Sequence, residues 1–192
     1  MMFSNSEEEQ RYIEKAIEFM VKNYHSSEYN SKPAILHSIK VGLKLLNYNY
    51  ELNIIIAGIL HDILEDTEVS YNELTNEFNQ EITEIVMANT FDSTIEERFE
   101  QGKELIQRCV KYGKKAMIVK TSDRLDNIEF QKSIYNLDKR CKFIKKLIAE
   151  HKEFAIKTKP FIEHEEIWIE YTKKLESYFG TDTIEINFGG DA

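Results

Sequence analysis

His61, Asp62, Glu65 and Asp66 place one imidazole and three carboxylates within six residues, directly after the apolar run Leu52–Leu60. If that helix continues to about residue 66, His61 lies one turn from Glu65 and Asp62 one turn from Asp66, in two adjacent columns. A helix C-terminus carries partial negative charge, so carboxylates crowded there need a cation or full solvation. Two readings follow from these residues alone: a divalent-metal site, or a solvated acidic helix end with a capping histidine. His37 and Asp123 are further positions able to complete a metal site. His37, His61, Asp62 and Asp123 together offer two imidazoles and two carboxylates, a mixed nitrogen and oxygen set suited to Mn²⁺, Fe²⁺, Co²⁺ or Zn²⁺ rather than Ca²⁺. Such an ion with open positions can acidify a water and polarise a phosphoryl oxygen. Taken singly, a helical histidine is more often packed or capped, and a helical aspartate more often solvated.

The positioning elements read as helices. Ser6-Glu7-Glu8-Glu9 resembles a capping box opening a helix to about Tyr24. Residues 25–32 turn polar, and Pro33 suits the first turn of a helix to about Asn47, with Ile35, Leu36, Ile39, Leu43 and Leu46 expected inward. A buried helix is expected over 51–66. Ser70 opens a short helix to about Phe78, and another covers Glu81–Thr90. Further helices are expected from Ile95 to Tyr112, ending at Gly113, and from Lys114 to Gln131, with Asp123 and Asn127 on one face. Asp138 is a candidate cap for a helix to about Lys157, and Phe161–Phe179 forms the last. Residues 183–188 alternate apolar and polar and read as a docked extended tail. The expected architecture is one all-α domain over 1–180 and a C-terminal tail over 181–192.

Composition narrows the function classes. With 7 Gly and 2 Pro in 192 residues, the chain has little material for the many tight turns of an all-β fold. A net charge of −9 argues against nonspecific nucleic-acid binding, which needs basic surface, but leaves room for an anionic substrate in a locally basic or metal-loaded pocket. Cys109 and Cys141 match no zinc spacing and are expected to be reduced. There is no basic N-terminal segment followed by an apolar core, and no apolar run approaches membrane-spanning length. A cytoplasmic protein with no membrane partner is the expectation, with self-association into a homo-oligomer left open.

Three segments resemble the His-Asp (HD) superfamily of metal-dependent phosphohydrolases, and more closely the alarmone hydrolase domain of the RelA/SpoT family. They are residues 33–39 around His37, Ala57–Thr67 with His-Asp followed by Glu-Asp-Thr, and residues 118–127 containing Asp123-Arg124-Leu125-Asp126-Asn127. The resemblance spans roughly residues 10 to 130. It implies an HD-type helical bundle in which His37, His61, Asp62 and Asp123 bind one Mn²⁺. It assigns Glu65 and Asp66 to the attacking water and Asn127 to the substrate ribose. Lys120 and Arg124 would face substrate phosphates or serve as structural ion-pair partners, with structure favoured for Arg124. Where the family carries an Arg-Lys pair before the first histidine, this chain has Glu28 and Tyr29, and Tyr29 could stack on a base.

The resemblance therefore implies removal of the 3′-pyrophosphate of (p)ppGpp. The alternatives are an HD phosphatase for another nucleotide, such as a nucleoside monophosphate or NADPH, and a helical module that binds metal or nucleotide without turnover.

Overall fold

A computed structural model describes residues 6–24, 33–134 and 142–180. Among the described residues every regular element is helical. The 25–32 loop with Glu28 and Tyr29, the cap expected at Asp138, Cys141 and the 181–192 tail lie outside the described residues.

Helix α1 (Glu7–Tyr24) opens on a reciprocal capping box: the Glu9 amide donates to Ser6 Oγ at 3.2 Å and the Ser6 amide to Glu9 Oε2 at 2.7 Å. Its buried stripe is Ile13, Ala16, Met20 and Tyr24. Helix α2 (Ala34–Asn47) follows Pro33, and its buried face is only in part the expected one: Leu46 is buried and Ile35 and Ile39 pack against the core. Leu36 and Leu43 are exposed, while His37, Val41 and Leu45, with Ser38, Gly42 and Leu46, face inward. These are two neighbouring rows at four-residue spacing. The reason is close contact with α3 (Leu52–Leu60): a Cβ on Gly42 would overlap Ile59 Cγ1, and one on Gly58 would overlap Leu45 Cδ1. Only the glycine face lets the two helices pack this closely.

The expected helix over 51–66 is two pieces. Residues 54–60 of α3 are all buried, then Asp62 leaves helical geometry at φ −100° and ψ 2°, and α4 (Ile63–Asp66) restarts. The kink turns the acidic segment away from the core while His61 remains inside it. Helix α5 (Tyr71–Glu77) is capped by Ser70 Oγ, and α6 (Gln80–Asn89) by Asn79 Oδ1, which accepts from the Ile82 amide at 2.9 Å. Helix α7 (Arg98–Tyr112) starts three residues later than expected, because the Glu97 carboxylate accepts the Glu100 amide at 2.9 Å and caps it there. It stops at Gly113, whose φ of 118° suits a residue without Cβ.

Helix α8 (Lys114–Ile134) is the pillar of the fold: residues 116–126 are buried without interruption, among α2, α3, α6, α7, α9 and α10. Helix α9 (Lys142–Ile162) runs through Pro160, where a break was expected, and α10 (Glu166–Phe179) closes the bundle. Proline is tolerated because it sits in the last turn, and the carbonyl it leaves free belongs to the exposed Ile156. No helix of the described residues is long and apolar enough to cross a membrane.

Candidate metal centre and cleft

His37 from α2, His61 from the α3–α4 junction and Asp123 from α8 each present one donor atom, all within 4.8 Å of one another. His37 Nε2 lies 3.1 Å from His61 Nε2 and 3.2 Å from Asp123 Oδ1, and His61 Nε2 lies 3.6 Å from the same oxygen. Asp62 Oδ2 joins them at 3.0 Å from His61 Nε2 and 3.7 Å from His37 Nε2. Donors sharing one ion at about 2.1 Å stand about 3.0 Å apart at right angles and about 3.4 Å apart at tetrahedral angles. His37, His61 and Asp123 have separations close to those of a coordination shell, and Asp62 stands beside the two ring nitrogens.

The partners on the far side of each ring decide what faces inward. His61 Nδ1 is 2.9 Å from the Gly58 carbonyl, and His37 Nδ1 is 2.7 Å from Asp126 Oδ2. Neither acceptor carries a hydrogen, so each Nδ1 is the donor, and a bound ion would meet both Nε2 lone pairs at the same point. Two lone pairs and two carboxylate oxygens in a buried space require a cation. Burial opposes charge on His61, yet Asp62 and Asp123 overcome it and push its pKa up to about 10. The field that would hold a proton there suits a divalent ion. The donor set therefore fits the group that the sequence motifs imply.

Asp123 is braced from its other sides. Lys120 Nζ lies 2.9 Å from Asp123 Oδ2 and Asn127 Nδ2 donates to Oδ1 at 2.5 Å. Burial alone would raise the Asp123 carboxyl, but Lys120 and the two imidazoles hold it well below the ordinary carboxylate range. Burial opposes charge on Lys120, and Asp123 and Asp62 nevertheless raise its pKa.

The cluster opens onto a cleft of about 610 Å³. Glu65 and Asp66 stand on its wall. Glu65 Oε2 accepts the Phe91 amide at 3.2 Å, and the Tyr24 hydroxyl donates to Asp66 Oδ2 at 3.4 Å. Glu65 keeps surface open to the cleft, but protein atoms around it exclude much of the bulk solvent. That partial burial, then repulsion from Asp62, raises its carboxyl pKa, with Lys120 opposing. Lys120, Asn127 and Arg124 also reach the cleft. Arg124 lies over the Phe154 ring at 4.7 Å from its centroid and bonds Tyr171, so its packing is at least partly structural. Tyr29, expected to stack on a base, lies outside the described residues.

Sequence reasoning gave no role to several lining residues. Arg98 from α7, and Lys146, Glu150 and His151 from α9, also line the cleft. No local pattern marks them, since two separate helices bring them to α8. Asp126 did carry a signal: it is one turn beyond Asp123, on the same side of α8.

A family model described as HD domain matches residues 16–146. The chain belongs to the HD domain family. Among curated proteins, this HD domain is 32% identical over 129 residues to the probable guanosine-3′,5′-bis(diphosphate) 3′-pyrophosphohydrolase of Mycoplasma pneumoniae, covering 60% of this chain and 18% of the relative. The guanosine-3′,5′-bis(diphosphate) 3′-pyrophosphohydrolase of Aquifex aeolicus is 28% identical over 146 residues, 74% of this chain and 21% of its own length. The chain thus spans about a fifth of these relatives. Among solved structures, a metazoan ortholog of SpoT, described as hydrolyzing ppGpp, superposes with a TM-score of 0.71 at 16% identity, covering 86% of this chain and 94% of that one. At that identity the likeness establishes the HD fold.

Proposed function

We propose that this HD domain, read as residues 1–180, is a divalent-metal-dependent phosphohydrolase that removes the 3′-pyrophosphate of (p)ppGpp. The observation that carries the reading is the convergence of His37, His61 and Asp123, with Asp62 beside the two imidazoles, at the base of a cleft whose wall bears Glu65 and Asp66. The four residues would hold the ion, Mn²⁺ by preference, and the bound ion would supply Lewis-acid polarisation of a phosphoryl oxygen. Glu65 and Asp66 orient the attacking water, and one of them takes its proton. The water oxygen joins phosphorus, the bond from phosphorus to the ribose 3′ oxygen breaks, and that oxygen leaves protonated in GDP or GTP as pyrophosphate is released. Lys120, Arg98, Arg124 and Lys146 give the cleft cationic groups to offset phosphate charge. Asn127, which braces Asp123, would meet a ribose hydroxyl. The names of the curated relatives support this substrate.

A second reading, an HD phosphatase for another nucleotide, is favoured by Glu97 and Glu150, which stand among those cations and lower the net charge offered to a polyphosphate. One assay series separates the readings. Protein purified with Mn²⁺ is expected to release pyrophosphate from ppGpp, and Asp62→Ala to lose that activity with its metal. Turnover of nucleoside monophosphates or NADPH in its place would establish the second reading. Binding without any product would leave a non-catalytic module.

A further inference from the structure

Helix α8 serves the ligand cluster twice. It presents Asp123 directly and, three residues on, sets Asp126 behind His37. The Asp126 carboxylate is only 7% exposed; its Oδ2 is 2.7 Å from His37 Nδ1, while the half-exposed Lys40 stands 3.6 Å from Oδ1. His61 has a different support, the neutral carbonyl of Gly58. The two imidazoles are therefore inequivalent: one is backed by a full negative charge and the other by a dipole.

Resting on the metal-centre reading above, we infer that Asp126 is a positioning residue that orients His37 and sets how tightly the site holds a divalent ion. Three effects act in one direction. The carboxylate accepts from Nδ1–H and so keeps the Nε2 lone pair inward. A charge-assisted bond at this distance restrains the ring and ties α2 to α8. The third effect is charge: Asp126 adds a negative charge beside Asp62 and Asp123, which favours a divalent cation at the shared point even with Lys120 and Lys40 nearby. A buried carboxylate is costly unless paired. A neighbouring imidazole that ligates a cation, 2.7 Å away and buried, satisfies that requirement better than the half-exposed Lys40 at 3.6 Å. Outer partners of metal-bound histidines commonly change metal affinity by about 10–100-fold when removed.

The test compares wild type, Asp126→Asn and Asp126→Ala. Mn²⁺ and Co²⁺ affinities are measured by chelator competition, the visible spectrum of the Co²⁺ form is recorded, and unfolding is followed without metal. Asparagine can still accept from Nδ1–H through its oxygen but lacks the charge, whereas alanine removes both functions. The expected order of affinity is wild type above Asp126→Asn above Asp126→Ala, with a total loss of about 10–100-fold and altered Co²⁺ bands. Folded variants that bind both ions within about twofold of wild type, with unchanged Co²⁺ spectra, would overturn the inference and leave the metal centre standing. So would an affinity loss with unchanged Co²⁺ spectra that is matched by the loss of metal-free stability, since that marks a purely structural tie. If Asp126→Ala does not fold, the isosteric Asp126→Asn decides alone. Wild type binding neither ion overturns both the inference and the reading beneath it.

Discussion

Glu65 combines three properties of a general base. It touches the cleft, one carboxylate oxygen is held by the Phe91 amide, and its environment raises its proton affinity. Glu65→Gln keeps the shape and the hydrogen-bond acceptor but cannot take a proton. Its kcat is expected to fall by about 10²–10⁴-fold, with metal content unchanged, which steady-state kinetics and elemental analysis on one preparation would check. A loss of metal instead would place Glu65 among the ligands. Lys120 works from the other side: it is buried against Asp123 and compensates the carboxylate when no divalent ion does. Lys120→Met is expected to destabilise the metal-free protein by up to about 3–5 kcal/mol, because the buried carboxylate loses its ammonium partner and keeps only the imidazoles and Asn127. Added Mn²⁺ should restore part of that loss, as urea melts with and without the ion would show.

At the scale of elements, the site depends on how α2 meets α3. His37 and His61 come within 3.1 Å because Gly42 and Gly58 let the two helices approach without Cβ atoms between them. Gly42→Ala gains up to about 1 kcal/mol of helix propensity but forces a methyl into Ile59, and such overpacking costs about 1–3 kcal/mol. A net loss of stability is expected in denaturant melts, and metal affinity should fall with it because the wedge lies one turn from His37. The break at Asp62 is equally consequential. At this junction Asp62 turns to the imidazoles while Glu65 and Asp66 stand on the cleft wall.

At the scale of the molecule, α9 lines part of the cleft and α10 packs against α8 and α9. His151 is buried there, its Nδ1 2.9 Å from the Tyr171 hydroxyl. Burial, and then the neighbouring Arg124, hold its pKa well below the ordinary histidine value. The folded protein thus keeps His151 neutral where the unfolded chain takes up a proton, so stability is full above about pH 6.5 and declines as pH falls below it. The decline contributed by this residue approaches about 1.4 kcal/mol per pH unit until the folded-state pKa is reached. Urea melts in chelator between about pH 8 and about pH 5 should show His151→Gln losing less stability on acidification than wild type. Parallel pH curves for the two proteins would assign the acid sensitivity to other groups.

Much of this organisation was legible in one dimension. The types and spacing of His37, His61, Asp62 and Asp123 carry the ligand chemistry, because donor preference belongs to the side chain. The apolar run before His61 and the capping residues at Ser6 and Ser70 place helices, because their effects act within a turn or two of the chain. Three features needed the tertiary structure. The inward face of α2 was set by the glycines at its crossing with α3, which overrode the leucine pattern. The break at Asp62 comes at the junction where α3, buried throughout residues 54–60, gives way to the acidic cleft wall, and local helix preference does not register it. Asp126 behind His37, and Arg98, Lys146 and His151 lining the cleft, lie on helices distant in sequence. Spacing relates residues along one helix; only packing fixes the rotation and approach of one helix against another, and here that rotation brings the candidate ligands together.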